Sequence, residues 1–199
     1  MEGHINTSFA TYQSDLFESG LVARIGANSF ALWSAIKAHS DYATGESWPS
    51  VRRLMELTGL ASATVQKSLK TLEENRLLRS EIRGKRRVYV ARERLDIQLG
   101  SRVLCTVVID YVPAKIRATV ARLKASLQAG ENDPELFSQV EIIPGDGFAW
   151  DERRGVLSAQ IPARDLPPLP PSPEPAGELV ERVKAIAERA RSRKALPTK

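Results

Sequence analysis

Residues 54–78 read LMELTGLASATVQKSLKTLEENRLL, and this stretch decides the fold of the region around it. Apolar residues recur every three or four positions on both sides of Gly59, which predicts two helices joined by a tight turn. A glycine suits the left-handed conformation that closes a helix. We expect the first helix over about 50–57 and the second over about 62–75. The inward-facing residues of the second helix are Val65, Leu69 and Leu72.

The outer face of the second helix carries small, polar and basic side chains. They are Ser62, Ala63, Thr64, Gln66, Lys67, Lys70 and Thr71. Side chains of this kind fit against base edges and phosphates in the major groove of DNA. Gln66 is the best candidate for a bidentate hydrogen bond to adenine. Ser62, together with Arg52 or Arg53 of the preceding helix, is the candidate for backbone contacts.

A basic bend follows the second helix. Residues 79–82 and 88–90 predict two short strands, and residues 83–87 predict the turn between them. The cations of this turn are Arg83, Lys85, Arg86 and Arg87. Such a turn can straddle a phosphate backbone while the helix before it enters the groove. The alternative is a hairpin tip that only improves solubility.

Positive charge is concentrated in one part of the chain. Residues 61–94 carry 10 basic and 4 acidic side chains, a balance of +6, whereas the whole chain has +5. Residues 1–60 and 95–175 are net acidic, and residues 176–199 are again basic. This distribution favours a polyanionic partner for residues 61–94, although a basic block can also be a solvated face.

Composition argues against several classes of protein. The chain has 199 residues, 42% of them hydrophobic, and no apolar run of the length that spans a bilayer. Cys105 is the single cysteine, and His4 and His39 are the only histidines, so neither a disulfide framework nor a Cys/His zinc site can form. Without a G-x-S-x-G elbow or a phosphate-binding Gly-Lys loop, we expect no catalytic activity, metal or cofactor. The expected location is the cytoplasm, in association with the nucleoid or a plasmid.

Residues 54–78 resemble winged helix-turn-helix DNA-binding domains. In such domains a Thr-Gly-Leu turn precedes a Thr-Val start of the recognition helix, and a Leu-Glu-Glu segment leads into the wing. The matching positions here are 58–60, 64–65 and 72–74. A serine is common where this chain has Ala61, so Ser62 is expected to cap the helix instead. The resemblance covers about a third of the chain and implies binding to double-stranded DNA.

A looser likeness extends to residues 88–109, where the wing strand is followed by Arg94 and a second apolar strand. Together with a proline-rich tail, this pattern resembles replication proteins of small bacterial plasmids. The resemblance implies a replication initiation or copy-control protein that binds repeats at an origin and recruits host replication proteins. A winged-helix repressor acting at its own promoter is the alternative. A module whose basic face binds an acidic protein is a third possibility.

We therefore predict an α+β protein with five segments. They are an N-terminal extension (1–27), a winged helix-turn-helix domain (28–94), a small mixed α/β region with a short sheet (95–161), a proline-rich linker (162–175) and a basic amphipathic helix (176–199). The region 95–161 could mediate dimerisation, contact DNA a second time or sense a ligand. We expect a homodimer, because palindromic or repeated sites are read by paired modules. The last helix is expected to contact protein, with phosphate as the alternative.

Five further local features are predicted from the sequence. Asn28 is predicted to cap the first helix of the DNA-binding domain, and Pro49 to lie in the first turn of the next helix. Residues 16–22 suggest one short helix. The helix that begins at Pro113 is expected to turn four residues inward. These are Ile116, Val120, Leu123 and Leu127. Three carboxylates, Asp146, Asp151 and Glu152, are explained by an acidic surface turn without invoking a metal.

Overall fold

The computed structural model describes residues 10–129 and 133–160. The helices are α1 (Asp15–Glu18), α2 (Leu21–Ile25), α3 (Ala27–Ala38), α4 (Val51–Thr58), α5 (Ser62–Glu74), α6 (Ile116–Ala129) and α7 (Pro134–Phe137). The strands are β1 (Glu46–Ser47), β2 (Leu78–Arg83), β3 (Arg86–Leu99), β4 (Arg102–Asp110), β5 (Val140–Pro144), β6 (Phe148–Asp151) and β7 (Val156–Ala159). This content confirms the α+β class.

The chain divides into two units, Met1–Leu166 and Pro167–Lys199, and every described residue belongs to the first. The predicted proline-rich linker (162–175) and C-terminal helix (176–199) lie outside the described residues, as do the first nine residues. Within the described ranges, no helix combines the length and the apolar character needed to cross a membrane.

The N-terminal helices begin differently from the prediction. Residues 16–22 contribute to two short helices, because Gly20 adopts a left-handed φ of 70° between α1 and α2. The prediction that Asn28 caps α3 is wrong. Gly26, with φ of 80°, occupies the cap position, and α3 begins at Ala27. A glycine tolerates this positive φ, so the helix starts before Asn28.

The start and end of α4 follow from two residues. The Ser50 hydroxyl accepts a hydrogen bond from the Arg53 N–H at 3.1 Å and so caps the helix. Pro49 therefore precedes the cap. The prediction that Pro49 lies in the first helical turn is wrong. Gly59, with φ of 71°, ends α4 in the predicted left-handed conformation.

Helix α5 begins without a side-chain cap. Ala61 occupies the cap position in an extended conformation, and Ser62 is the first helical residue. The prediction that Ser62 serves as the cap is therefore wrong. The helix is held from within instead, because Val65, Leu69 and Leu72 are buried as predicted.

One long strand joins the two halves of the described structure. The first half of β3 lies between β1 and β2, since Val90 pairs with Glu46 on one side and Arg79 on the other. The second half pairs with β4, and β4 pairs with β5. All pairings among the strands of the described residues are antiparallel. The domain boundary predicted after residue 94 falls inside β3.

A single hydrophobic core connects these elements. Trp33 of α3 is fully buried, and its indole N–H donates a hydrogen bond to the Leu77 carbonyl at 3.0 Å. This bond ties α3 to the start of β2. Ile116 and Leu123 of α6 enter the same core, whereas Leu127 is exposed, contrary to the expectation.

The most unusual feature of the core is a buried lysine, which we call the lysine cage. The Lys37 ammonium contacts a Glu93 carboxylate oxygen at 2.5 Å and the Thr11 carbonyl at 2.5 Å, and both charged side chains are almost completely buried. The centroids of three aromatic rings lie 4.1–4.6 Å from the Lys37 Nζ. The rings belong to Tyr12, Trp33 and Tyr111. The cage joins the N-terminal segment and α3 to β3.

Burial dominates the electrostatics of this pair. It lowers the pKa of Lys37 and raises the pKa of Glu93, while the attraction between the two charges opposes both shifts. Each charge is therefore tolerated in the core because the other is present. Removing one partner leaves an uncompensated buried charge, which costs more than the pair itself contributes.

The first prediction concerns this dependence. Lys37→Met and Glu93→Leu should each lower the free energy of unfolding by about 3–5 kcal/mol at neutral pH. The double variant Lys37→Met/Glu93→Leu should lose much less than the sum of the two. Urea unfolding of the four proteins measures the coupling, and additive losses would show that the two side chains do not interact.

The second prediction concerns pH. In Lys37→Met, burial still raises the Glu93 pKa above its usual 4.5 but no cation opposes it. The folded state then binds more protons than the unfolded state above about pH 4.5, so stability should fall as pH rises toward the raised pKa. Unfolding midpoints measured across this range test the sign. The double variant lacks the carboxyl and should show no such decline.

Candidate nucleic-acid interface

A groove of about 400 Å³ lies between the start of α4, the outer face of α5 and the hairpin of β2 and β3. Residues from all three elements line it, among them Ser50, Gln66, Lys85, Arg86 and Arg87. The structure thus places the candidate base-reading residue of α5 and the cations of the hairpin on one surface. Sequence spacing alone could not establish this proximity.

The outer face of α5 is available for contact. Gln66, Lys67 and Lys70 are exposed, and so are the candidates Ser62 and Ala63. Thr64 and Thr71 are partly buried at the sides of the helix. The opposite face is anchored in the core, so the exposed side chains project from a fixed helix.

Two arginines stand on the neighbouring helix α4. Arg52 and Arg53 are exposed and form ion pairs with Glu56 at 3.5 Å and 3.2 Å. Lys70 of α5 pairs in the same manner with Glu74 at 3.7 Å. Ion pairs between exposed side chains within a helix contribute little to stability. These cations therefore remain accessible to an external phosphate.

The hairpin turns more tightly than the sequence suggested. Strand β2 ends at Arg83 and β3 begins at Arg86, so only Gly84 and Lys85 form the turn. Gly84 has φ of 62°, which allows this two-residue connection. The prediction that residues 83–87 form the turn is therefore too wide. Arg86 and Arg87 are strand residues, and their side chains are exposed.

Arg83 differs from the other hairpin cations. Its guanidinium lies 2.8 Å from the Glu46 carboxylate of β1 and also contacts Glu81 of its own strand. Hydrogen bonding to Glu46 raises the pKa of Arg83 above its usual value. The charge of Arg83 is compensated within the protein, and the contact to β1 spans the central strand β3.

Four cations of the surface are not compensated in this way. Among residues 10–129 and 133–160, no ion pair with a carboxylate is formed by Lys67, Lys85, Arg86 or Arg87. When an unpaired cation neutralises a phosphate, counterions that were condensed on the DNA are released. This release makes binding dependent on salt. The positive field of the surface therefore comes mainly from α5 and the tip of the hairpin.

Two aromatic residues of the groove were not among the sequence-predicted site residues. Trp48 lies just before the α4 cap and is 50% exposed, whereas Tyr89 of β3 is buried at the base of the groove. Burial raises the pKa of the Tyr89 hydroxyl above its ordinary value. In the sequence, the only signal that Trp48 lies at the site was its position beside Pro49 and Ser50, directly before α4.

No group of three or more His, Cys, Asp or Glu residues in the described part of the chain is placed to hold a metal ion. Asp151 instead accepts hydrogen bonds from the backbone N–H groups of Arg153 and Arg154 at 3.0 Å and 3.2 Å. The carboxylate thus stabilises the turn between β6 and β7.

Comparison with known protein families gives a match to the helical part of this surface. A family model described as a helix-turn-helix domain matches residues 23–78, which include α3, α4 and α5. No curated protein and no solved structure matches the chain. The chain therefore carries a helix-turn-helix domain, and this finding supports DNA binding.

The third prediction separates the hairpin cations. Lys85→Gln should make the negative slope of log Kobs against log salt shallower by about 0.9, because Lys85 is free to neutralise a phosphate. Arg83→Gln should leave the slope near that of the wild type, since its charge is compensated by Glu46 and Glu81. Fluorescence anisotropy with duplex DNA at several salt concentrations measures both. Equal changes in the two variants would contradict this assignment.

Proposed function

We propose that this protein binds specific double-stranded DNA, with α5 in the major groove and the hairpin acting as a wing along the backbone. The observation that carries the proposal is the shared groove, in which Gln66 faces the same space as Lys85 and Arg86. Base contacts supply specificity and phosphate contacts supply most of the affinity. The surface offers both kinds of side chain, from α5 and from the hairpin.

The residues proposed to contact DNA fall into three groups. For the groove they are Ala63, Thr64, Gln66, Lys67, Lys70 and Thr71; for the backbone beside it Arg52, Arg53 and Ser62; and for the wing Arg83, Lys85, Arg86 and Arg87. The compensated charge of Arg83 makes it the weakest member of the wing group. We also propose that the protein acts by binding and not by catalysis. Burial raises the pKa of the Cys105 thiol to about 11, which makes it a poor nucleophile.

For the biological role we propose replication initiation or copy control on a plasmid. The resemblance of residues 88–109 and of the proline-rich tail to plasmid replication proteins supports this role. A homodimer bound to repeats near an origin, with host replication proteins as further partners, fits the proposal. A repressor would bind its promoter without recruiting these partners.

A plasmid maintenance assay distinguishes the two roles. The gene and its adjacent DNA repeats are cloned into a vector that lacks its own origin, and transformants are counted. Replication initiation predicts stable maintenance that is lost with Lys85→Gln/Arg86→Gln. If the protein represses a reporter placed behind the same DNA but does not maintain the plasmid, it is a transcriptional repressor and not a replication initiator.

The fourth prediction tests sequence recognition. A duplex of about 30 base pairs, roughly three helical turns, is first selected from a random pool by the wild-type protein. Gln66→Ala should weaken binding to this duplex by about 1–3 kcal/mol if the bidentate contact to adenine is made. Binding to unselected duplexes should change little, because Gln66 is uncharged. An unchanged preference for the selected duplex would remove Gln66 from base reading.

A further inference from the structure

A large apolar ring stands in the groove that otherwise offers polar and basic side chains. The indole of Trp48 is half exposed, although the ring of Trp33 in the same domain is completely buried. Aromatic side chains contribute binding free energy when a second molecule covers them. Trp48 is therefore placed to gain from a ligand that enters the groove.

The walls around Trp48 favour an anion. Ser50 and Val51 bring the start of α4 to the groove, where the N–H groups of the first turn carry partial positive charge. On the other side stand Lys85, Arg86 and Arg87. No Asp or Glu is among the described residues that line the groove. The lining thus combines cationic walls with one exposed apolar ring.

A DNA strand has the chemistry that matches this lining. Its backbone alternates an anionic phosphate with a deoxyribose, whose carbon atoms offer an apolar face. The groove is also bordered by Gln66, so a strand seated there would lie beside the residue proposed to read a base.

We infer that the groove seats a sugar–phosphate segment of one DNA strand, with Trp48 packed against a deoxyribose. The flanking phosphates are held between the start of α4 and the hairpin. This inference rests on the proposed function and adds a contact to it. Trp48 contributes affinity without contributing charge or base preference.

The test compares Trp48→Ala with the matched variant Trp48→Phe in the full-length protein. Binding is measured by fluorescence anisotropy on the selected duplex and on a random duplex of the same length. Trp48→Ala should bind both about tenfold more weakly, which corresponds to about 1.4 kcal/mol. The salt slope should stay unchanged, because a sugar contact releases no counterion. Trp48→Phe should retain most of the affinity, since a phenyl ring can cover the same sugar.

Two reference variants make the pattern specific. Gln66→Ala should lose affinity on the selected duplex only, and Lys85→Gln should make the salt dependence shallower on both duplexes. A loss by Trp48→Ala that is confined to the selected duplex, or that is accompanied by a shallower salt dependence, would overturn the sugar contact.

Tryptophan fluorescence provides a second measurement that does not depend on the alanine variant. Saturating DNA should change the emission of the wild-type protein, and the change should be much smaller in Trp48→Phe. Equal changes in both proteins would show that DNA does not cover Trp48. Far-ultraviolet circular dichroism confirms that each variant is folded.

Failure of this inference can be told apart from failure of the proposed function. If Trp48→Ala is folded and binds both duplexes as the wild type does, the sugar contact is wrong. The effects of Gln66→Ala and Lys85→Gln then still support DNA binding. If the wild-type protein binds no duplex even at low salt, the proposed function itself is wrong. The contact between Trp48 and a deoxyribose is then wrong as well.

Discussion

The buried pair of Lys37 and Glu93 is the constraint on which the rest of the arrangement depends. Lys37 belongs to α3, which packs against α5, and Glu93 belongs to β3, whose first residues form one side of the hairpin. Because neither charge is tolerated alone in the core, helix and strand are held in one relative position. The hairpin cations are thereby set at a defined place beside Gln66. The stability of the core and the geometry of the surface are linked through this contact.

The surface uses its charges in two ways. Arg83 is held by carboxylates of β1 and β2 and contributes to the packing of the sheet around the hairpin. Lys67, Lys85 and Arg86, which form no ion pair within the described residues, keep their charge for an external anion. The count of basic residues in 61–94 overstates the positive field, since several arginines are compensated locally. Partners of individual cations matter more for binding than the net charge of the segment.

Much of the helix-turn-helix could be predicted because its signals are local. The spacing of Val65, Leu69 and Leu72 predicted the buried face of α5, and Gly59 predicted the end of α4. Helix starts were less predictable, because Gly26 and Ala61 occupy the cap positions that were expected for Asn28 and Ser62. At α3 the positive φ of Gly26 sets the start, whereas α5 has no side-chain cap and is held by its buried face.

The sequence by itself determined the order of helices and hairpin and the concentration of basic residues, since periodicity and composition act over a few neighbouring positions. Only the tertiary structure decided which charges are free, that Trp48 lines the groove, and that Lys37 meets Glu93 across 56 positions of chain. It also joined the hairpin to the following sheet through one continuous strand. Contacts between residues distant in sequence depend on the packing of whole elements, and no short pattern specifies them.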